Sequence, residues 1–391
     1  MEFFRNTNID FLGKKWYFLA FSLVFSIAGV LSMLFWHGIP LGVDFRGGTL
    51  VYVKFASPPN DDQIRAQLDK AGLRNFRIQR DPAHNVVLIS LDQKETSEQA
   101  LDQGKNQIIG ALEGAAPAGK PDLNNASSLT IQSYLLEKDP LHAGADASQR
   151  YAAEAKVITD YRYKDKGGVF SSMDELSAVT KPEVVAAFKD GFFLSGFGVR
   201  NVEIVGPQVG KQLQGQAFKA VLYSLAGMLI YLGFRFEWIY GVAAVITVFH
   251  DTLITVGAFS LTNKEISLTV IAAILTLVGY SNNDTIVVFD RIRENLKLLR
   301  REKLADVVNR AINQTLSRTI LTAGLTFLTV LALFLFGGEV LHGFSFALVI
   351  GILIGTYSSI AIAAPILVAY QEWRAASRGT ASVPDKARAK A

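Results

Sequence analysis

The sequence of 391 residues contains no cysteine. That excludes a disulfide framework and any thiol chemistry, although no compartment follows from it. Also missing are a zinc-type ligand spacing, a phosphate-cradling glycine-rich loop between strand and helix, and a G-x-S-x-G elbow. No enzymatic site is visible, and neither a cofactor nor a metal is called for. The formal charge of +4 is small, so its distribution says more than its size.

Half of the residues are hydrophobic, and they are bunched. The pattern is that of an α-helical polytopic membrane protein with one polar portion. Residues 1–15 form a short polar lead with Arg5, Lys14 and Lys15. Residues 16–37 follow as about 20 apolar residues, enough to span the hydrocarbon core. No A-x-A-like site closes this run, so it reads as an uncleaved anchor with its basic end in the cytoplasm. Five further apolar segments are expected near 217–233, 239–261, 266–289, 318–337 and 340–371. The last should kink or leave the bilayer near Pro365.

The polar stretch 38–210 lies on the far side of the membrane in this reading. The alternating run Leu50 to Phe55 predicts a strand, and Asn60-Asp61-Asp62 predicts a helix start. A strand pair is expected at 76–78 and 86–91, turned over 81–85, then a helix near 98–112 and a last strand at 199–205. The order βαββαβ implies a ferredoxin-like α+β sandwich. An insert, about 114–198, opens as a loop and continues as a helix at 151–163. Gly167-Gly168 and a capped second helix from Ser171 follow. This hairpin bears a slight resemblance to helix–hairpin–helix DNA readers. No basic cluster flanks the glycines, so a docking or spacer hairpin is favoured over nucleic-acid binding.

Basic residues set the orientation. The stretch 290–317, read as a loop, holds Arg291, Arg293, Lys297, Arg300, Arg301, Lys303 and Arg310. The tail 373–391, read as disordered, holds Arg374, Arg378, Lys386, Arg388 and Lys390. Both termini and the Arg-rich stretch should lie in the cytoplasm.

The polar exceptions inside the spans carry the functional reading. Gly279 to Asn295 reads GYSNNDTIVVFDRIREN, placing Asp284 within a membrane-spanning helix. A carboxylate at such depth costs at least ~2.5–3.5 kcal/mol and marks a functional site. Tyr280 and Thr276 precede it at helical steps, and Asn283 adjoins it. The preceding helix carries Thr247, Asp251 and Thr255; the following one carries Arg318, Thr322, Thr326 and Thr329. These stripes should face one another or a water-filled crevice. Asp284 lies about 9 Å below the inner end of its helix, at the depth where Arg318 enters, so the two can pair. Asp251, with His250 about 100° away in direction, is either a second carboxylate station or a group that bonds one neighbour and stays silent. For each Thr alone, a bond to its own i−4 carbonyl is the simpler account. A static Asp284–Arg318 pair is the bland alternative, but buried pairs are poor stabilisers, which favours a working role. A group that binds a proton in one conformation and releases it in another can couple proton flow to motion.

Several motifs together resemble the SecF family, subunits of the bacterial Sec protein-export machinery within the resistance-nodulation-division group. They are GVDFRGG at 42–48, Val205 to Gly210, FRFEW at 234–238, His250-Asp251, the 279–295 stretch, Ser317-Arg318-Thr319, and GTYSSIAIAAP at 355–365. The resemblance implies a SecD partner with a similar six-helix half, a multi-pass inner-membrane location, and work driven by proton-motive force. It further implies a periplasmic domain that handles unfolded preprotein emerging from the SecYEG channel. It puts Asp284 and Arg318 on the positions associated with proton passage, with Asp251 as a third candidate and Tyr280, Asn283 and Thr322 in support. The sequence departs from the family at Asn282, where an aliphatic residue is usual, and in the insert. A passive translocase scaffold and a small-molecule efflux porter are the rival readings.

Overall fold

The computed structural model describes residues 7–81, 85–92, 98–114, 117, 119–299 and 301–380. The middle of the expected 81–85 turn, part of the insert's opening loop, Arg300 and the tail beyond 380 lie outside the described residues. The chain divides into two compact units, one of Met1–Leu41 with Gln214–Ala391, the other of Gly42–Leu213.

The first unit opens with helix α1, Lys15–Leu31, which continues as a π-helical turn over Ser32–Trp36. Before it, the segment around Ile9 and Phe11 is held by two asparagines. Asn313 Oδ1 accepts from Ile9 N (2.9 Å), and Asn309 Oδ1 accepts from Phe11 N (2.9 Å).

The second unit contains α2 (Val43–Arg46), β1 (Gly48–Phe55), α3 (Asp61–Lys70), β2 (Phe76–Asp81), β3 (Val86–Leu91) and α4 (Glu98–Glu113). After the insert, β4 (Phe197–Val205) completes an antiparallel sheet of order β2-β3-β1-β4, as the ferredoxin-like reading requires. Asn60 caps α3, its side chain accepting from Asp62 N and Gln63 N. Alternation puts Val51, Val53, Val87, Ile89 and Leu91 on one face, where Ile64 and Leu68 of α3 and Ile108 of α4 cover them. Gly47 (φ 77°) and Gly48 (φ 132°) begin β1 in backbone conformations that L side chains avoid. A Cβ on Gly47 would stand 2.6 Å from Pro207 Cα, and one on Gly48 would stand 2.2 Å from Leu91 O. The pair is therefore a packing requirement at the start of β1, an inner strand of the sheet.

The insert is more than a hairpin. It contains α5 (Ser128–Lys138), α6 (Ala147–Lys164), a 3₁₀ helix over Met173–Ala178 and α7 (Pro182–Gly191). The capping box of Ser172 and Glu175 is present, but the helix it starts is 3₁₀, not α. Ile131, Leu135, Tyr151, Ile158, Phe170 and Phe188 close a core separate from that of the sheet. Buried Arg162 donates to Leu123 O (2.6 Å) and Ala126 O (3.0 Å), which satisfies carbonyls of the entry segment.

Glu203 supplies a pH test for this unit. Burial, and then the nearby Asp44, push its carboxyl above the usual range, while a bond from Tyr52 OH (3.1 Å) works the other way. With its folded pKa above the unfolded one, the group penalises folding at neutral pH, and the penalty is relieved as pH falls through the folded value. Asp139, Asp174 and Glu175 are held below their ordinary range, so they lose stability in the opposite sense at more acid pH. Glu203→Gln is therefore expected to raise the melting temperature at pH 7 and to leave it unchanged near pH 4. A loss of stability at pH 7 would refute this assignment.

The rest of the first unit is helical: α8 (Pro207–Arg235, entering from the boundary at Leu213), α9 (Trp238–Leu261), α10 (Leu268–Leu298), α11 (Leu304–Phe336), α12 (Gly338–Ser358) and α13 (Ala364–Thr380). Among the described residues six spans, Lys15–Trp36, Pro207–Arg235, Trp238–Leu261, Leu268–Leu298, Leu304–Phe336 and Val340–Arg374, are long and apolar enough to cross a membrane. The last is broken by a π-helical turn over Ser359–Ala363, directly before Pro365. Proline has no N–H to give the preceding turn, so the hydrogen-bond register slips there and the helix continues. The Arg-rich stretch 290–317 is not a loop. Helix α10 runs on to Leu298 and α11 begins at Leu304, because Ile292, Val307, Val308, Ala311 and Ile312 bury an apolar face there. That face joins Tyr240, Ala244 and Phe289 with Leu367 and Val368 in one core.

Candidate functional site

Three helices converge on Asp251. It sits on α9 with no solvent exposure. Its Oδ2 accepts from Ser281 Oγ of α10 (2.5 Å) and Ser358 Oγ of α12 (2.8 Å). Its Oδ1 meets His250 Nδ1 at 3.0 Å, and His250 Nε2 in turn meets Ser22 Oγ of α1. The two residues stand about 100° apart in direction along the helix. The imidazole is long enough to fold back over one residue, and the two are bonded. Thr247 and Thr255 flank Asp251 and bond their own i−4 carbonyls (both 2.8 Å).

Asp284, three residues after Ser281 on α10, is 3% exposed. Its Oδ2 is buried without a hydrogen-bond partner, as are Asn282 Oδ1 and Thr319 Oγ1 on α11. A buried unpartnered carboxylate oxygen is costly and rare. Tyr280 is half-buried one turn earlier, and Asn283 is exposed.

The expected pairing of Asp284 with Arg318 is not a direct contact. The Arg318 charge acts on Asp284 through space. Its side chain instead lines a cleft of about 290 Å³ with Tyr231, Arg235, Ile286, Val287 and Asp290. The cause is the facing of α11. Ala311, Thr315, Thr319 and Ala323, at steps of four, form its buried face, and Arg318 lies about 100° off it. Thr322 and Thr329 are exposed on the outer side, and each Thr hydroxyl, with that of Thr326, donates to its own i−4 carbonyl (2.9–3.0 Å). The third stripe therefore points out of this bundle instead of into a crevice shared with the other two. Thr276 on α10 is likewise exposed and bonds Ala272 O (2.9 Å).

The sequence reading missed Ser22, Ser281 and Ser358. Lone serines in apolar helices carry no signal until packing brings them to one carboxylate. For Ser281 a clue existed, since it stands one turn from Asp284 on the same face. Among the described residues no cluster suited to a metal ion occurs.

Comparison with known proteins places this geometry. The family model for the C-terminal part of SecD/SecF protein-export membrane proteins matches residues 190–373, and the SecD/SecF GG motif matches 34–59, which includes Gly47-Gly48. The chain is 68% identical to the protein translocase subunit SecF of Koribacter versatilis, over 99% of this chain and 97% of that protein. It is 38% identical to SecF of Calditerrivibrio nitroreducens, over 94% and 96%. Among solved structures it is similar to SecDF of Thermus thermophilus, a translocon-associated membrane protein, with 30% identity and a TM-score of 0.65 over 94% of this chain. It spans only 39% of that SecDF chain. With six apolar spans and relatives of this kind, the molecule is a multi-pass membrane protein, and the chain belongs to the SecF family of protein translocase subunits.

Proposed function

We propose that this chain is the SecF half of a proton-driven auxiliary unit of protein export, working with a SecD-type partner beside a SecYEG-type channel. In this reading it carries no enzymatic centre and no cofactor, and the proton gradient is the energy source. The Arg-rich inner ends of α10 and α11 and both termini face the cytoplasm of a bacterial inner membrane, and the sheet-bearing unit faces the periplasm, where unfolded preprotein emerges.

The observation that carries the proposal is Asp284 Oδ2, buried in a membrane-spanning helix and without a partner. Such a group persists where it is used. Asp284 takes up and releases the proton, and Arg318, on a long stem at an open cleft, is the mobile charge that approaches one protonation state and leaves the other. The outward face of Arg318, Thr322, Thr329 and Asn283 is too polar for acyl chains and is suited to a partner bundle. This chain spans about two fifths of the SecDF chains it matches, which leaves room for a SecD-type half beside it.

The test is preprotein export into inverted vesicles with and without an imposed proton gradient, comparing wild type with Asp284→Asn at equal level and equal partner binding. The variant should lose the gradient-dependent part of export. Full retention would make Asp284 structural and the molecule a scaffold.

A further inference from the structure

As a carboxylate, Asp251 accepts on both oxygens: Ser281 Oγ and Ser358 Oγ donate to Oδ2, the Ser358 hydroxyl also lying 3.1 Å from Gly355 O. The Oδ1 side meets His250 Nδ1, so a proton shared by these two titratable groups lies between Oδ1 and Nδ1. The carboxyl is wholly buried, and an uncompensated charge at such a place is expensive. Among the described residues, the one side chain bonded to it that can carry positive charge is His250, which is itself nearly covered, at 13% side-chain exposure.

The order Ser22, His250, Asp251 has the connectivity of a hydrolase triad, but it cannot act as one. Ser22 lies in the middle of α1, where the neighbouring N–H groups are spent in helix bonds and none is left as an oxyanion donor. The chain of contacts is suited to holding a proton.

We propose that His250 is a second proton-binding group of the membrane unit, stabilised by Asp251, and that Ser22 passes its protonation state to α1. In the neutral state Nδ1–H donates to Asp251, and Nε2 accepts from the Ser22 hydroxyl. When a proton adds to Nε2, the imidazolium neutralises the aspartate and the bond to Ser22 reverses direction, with Nε2–H now donating. The Ser22 hydroxyl must then find another acceptor. The nearest on its own helix is the i−4 carbonyl of Phe18, which already accepts from Tyr357 OH of α12. One proton thus rewrites contacts on α1, α9 and α12, and Ser281 connects it to α10 three residues from Asp284. Within the middle of these elements the other titratable groups are Asp284 and Tyr280 on α10; Lys15 and Tyr17 on α1, Tyr240 on α9, the charged run from Asp290 to Lys297 on α10, and Glu339, His342 and Tyr357 on α12 lie nearer the helix ends. That the proton state drives export rests on the reading proposed above; that His250 binds a proton does not.

Two measurements decide it in the assembled translocase complex. The first is the imidazole ¹⁵N spectrum of the wild-type complex, with the His250 signal assigned by its absence in His250→Gln. Recorded from alkaline to acid pH, the signal should change from neutral to imidazolium, and Ser22→Ala should move the point of change. A signal constant across that range overturns the proposal, even if the Gln variant does not accumulate. The second is the ratio of export with and without a gradient, which should fall by about tenfold in His250→Gln. If Asp284→Asn loses this ratio while His250→Gln keeps it, this inference fails alone. If His250→Gln loses it and Asp284→Asn does not, the role given to Asp284 fails instead.

Discussion

Gly257→Leu is expected to lift α1 from α9 and to destabilise the membrane unit by about 3 kcal/mol. The two helices meet glycine to glycine. A Cβ built on Gly257 would stand 2.7 Å from Gly29 Cα, and one on Gly29 would stand 2.9 Å from Gly257 Cα. The obstacle is backbone on both sides, so no rotamer change relieves it. This close approach is also what brings the polar contacts of the same pair of helices within reach. Ser32 Oγ lies 2.8 Å from Ser260 Oγ, Ser260 donates to Gly38 O (2.8 Å), and His37 Nδ1 lies 2.9 Å from Ser260 O. The natural absence of cysteine permits a direct reading. Ser32→Cys with Ser260→Cys should form a disulfide readily in the otherwise unchanged chain, since the side-chain atoms already touch. Adding Gly257→Leu should reduce that cross-linking by an order of magnitude. Undiminished cross-linking would show that α1 does not depend on this contact.

Asp251→Ala is the second large effect, a loss of about 2 kcal/mol with about 5 kcal/mol as a ceiling. Hydrogen bonds between helices in a membrane are worth about 0.6 kcal/mol on average and about 1.7 at most; Asp251 makes two of them, with Ser281 and Ser358, and a third bond to His250 of its own helix, and all three are valued alike. Truncation leaves two serine hydroxyls and an imidazole facing a small apolar void where no solvent reaches. Asp251→Asn keeps an acceptor for the serines and should cost less than about 1 kcal/mol. Unfolding midpoints of the two variants in mild detergent, read against wild type, test the ordering. If Ala and Asn are equally tolerated, the serine bonds hold nothing together.

These two residues illustrate what could be read in advance. Asp251 and Asp284 were visible as functional because a carboxylate in an apolar run is conspicuous on composition alone. The partners of Asp251 were not visible, because Ser22, Ser281 and Ser358 lie up to 336 positions apart in the chain and nothing local marks them. Arg318 was expected level with Asp284, and its side chain lines a cleft with Ile286 and Val287 of α10, the helix of Asp284. Its direction was misjudged, since the face α11 buries is chosen by its neighbours: Thr319 and Ala323 pack inward and Arg318 is carried outward. The insert shows the same limit. The Ser172–Glu175 capping box was legible, whereas α5 and α7 were not, because Ile131, Leu135, Val184 and Phe188 form an apolar face only in each other's company.

The sequence by itself determined the six spans, the βαββαβ order, the cap at Asn60 and the two buried carboxylates. Each of these follows from periodicity, chain connectivity or the cost of charge in lipid, and all three act over a few residues. Only the tertiary structure decided that Asp251 would be fully partnered while Asp284 Oδ2 stays bare, and that Arg318 would open onto a cleft. Those outcomes depend on which faces of α1, α9, α10, α11 and α12 are turned toward one another, and that choice is made by close packing at contacts such as Gly29 on Gly257.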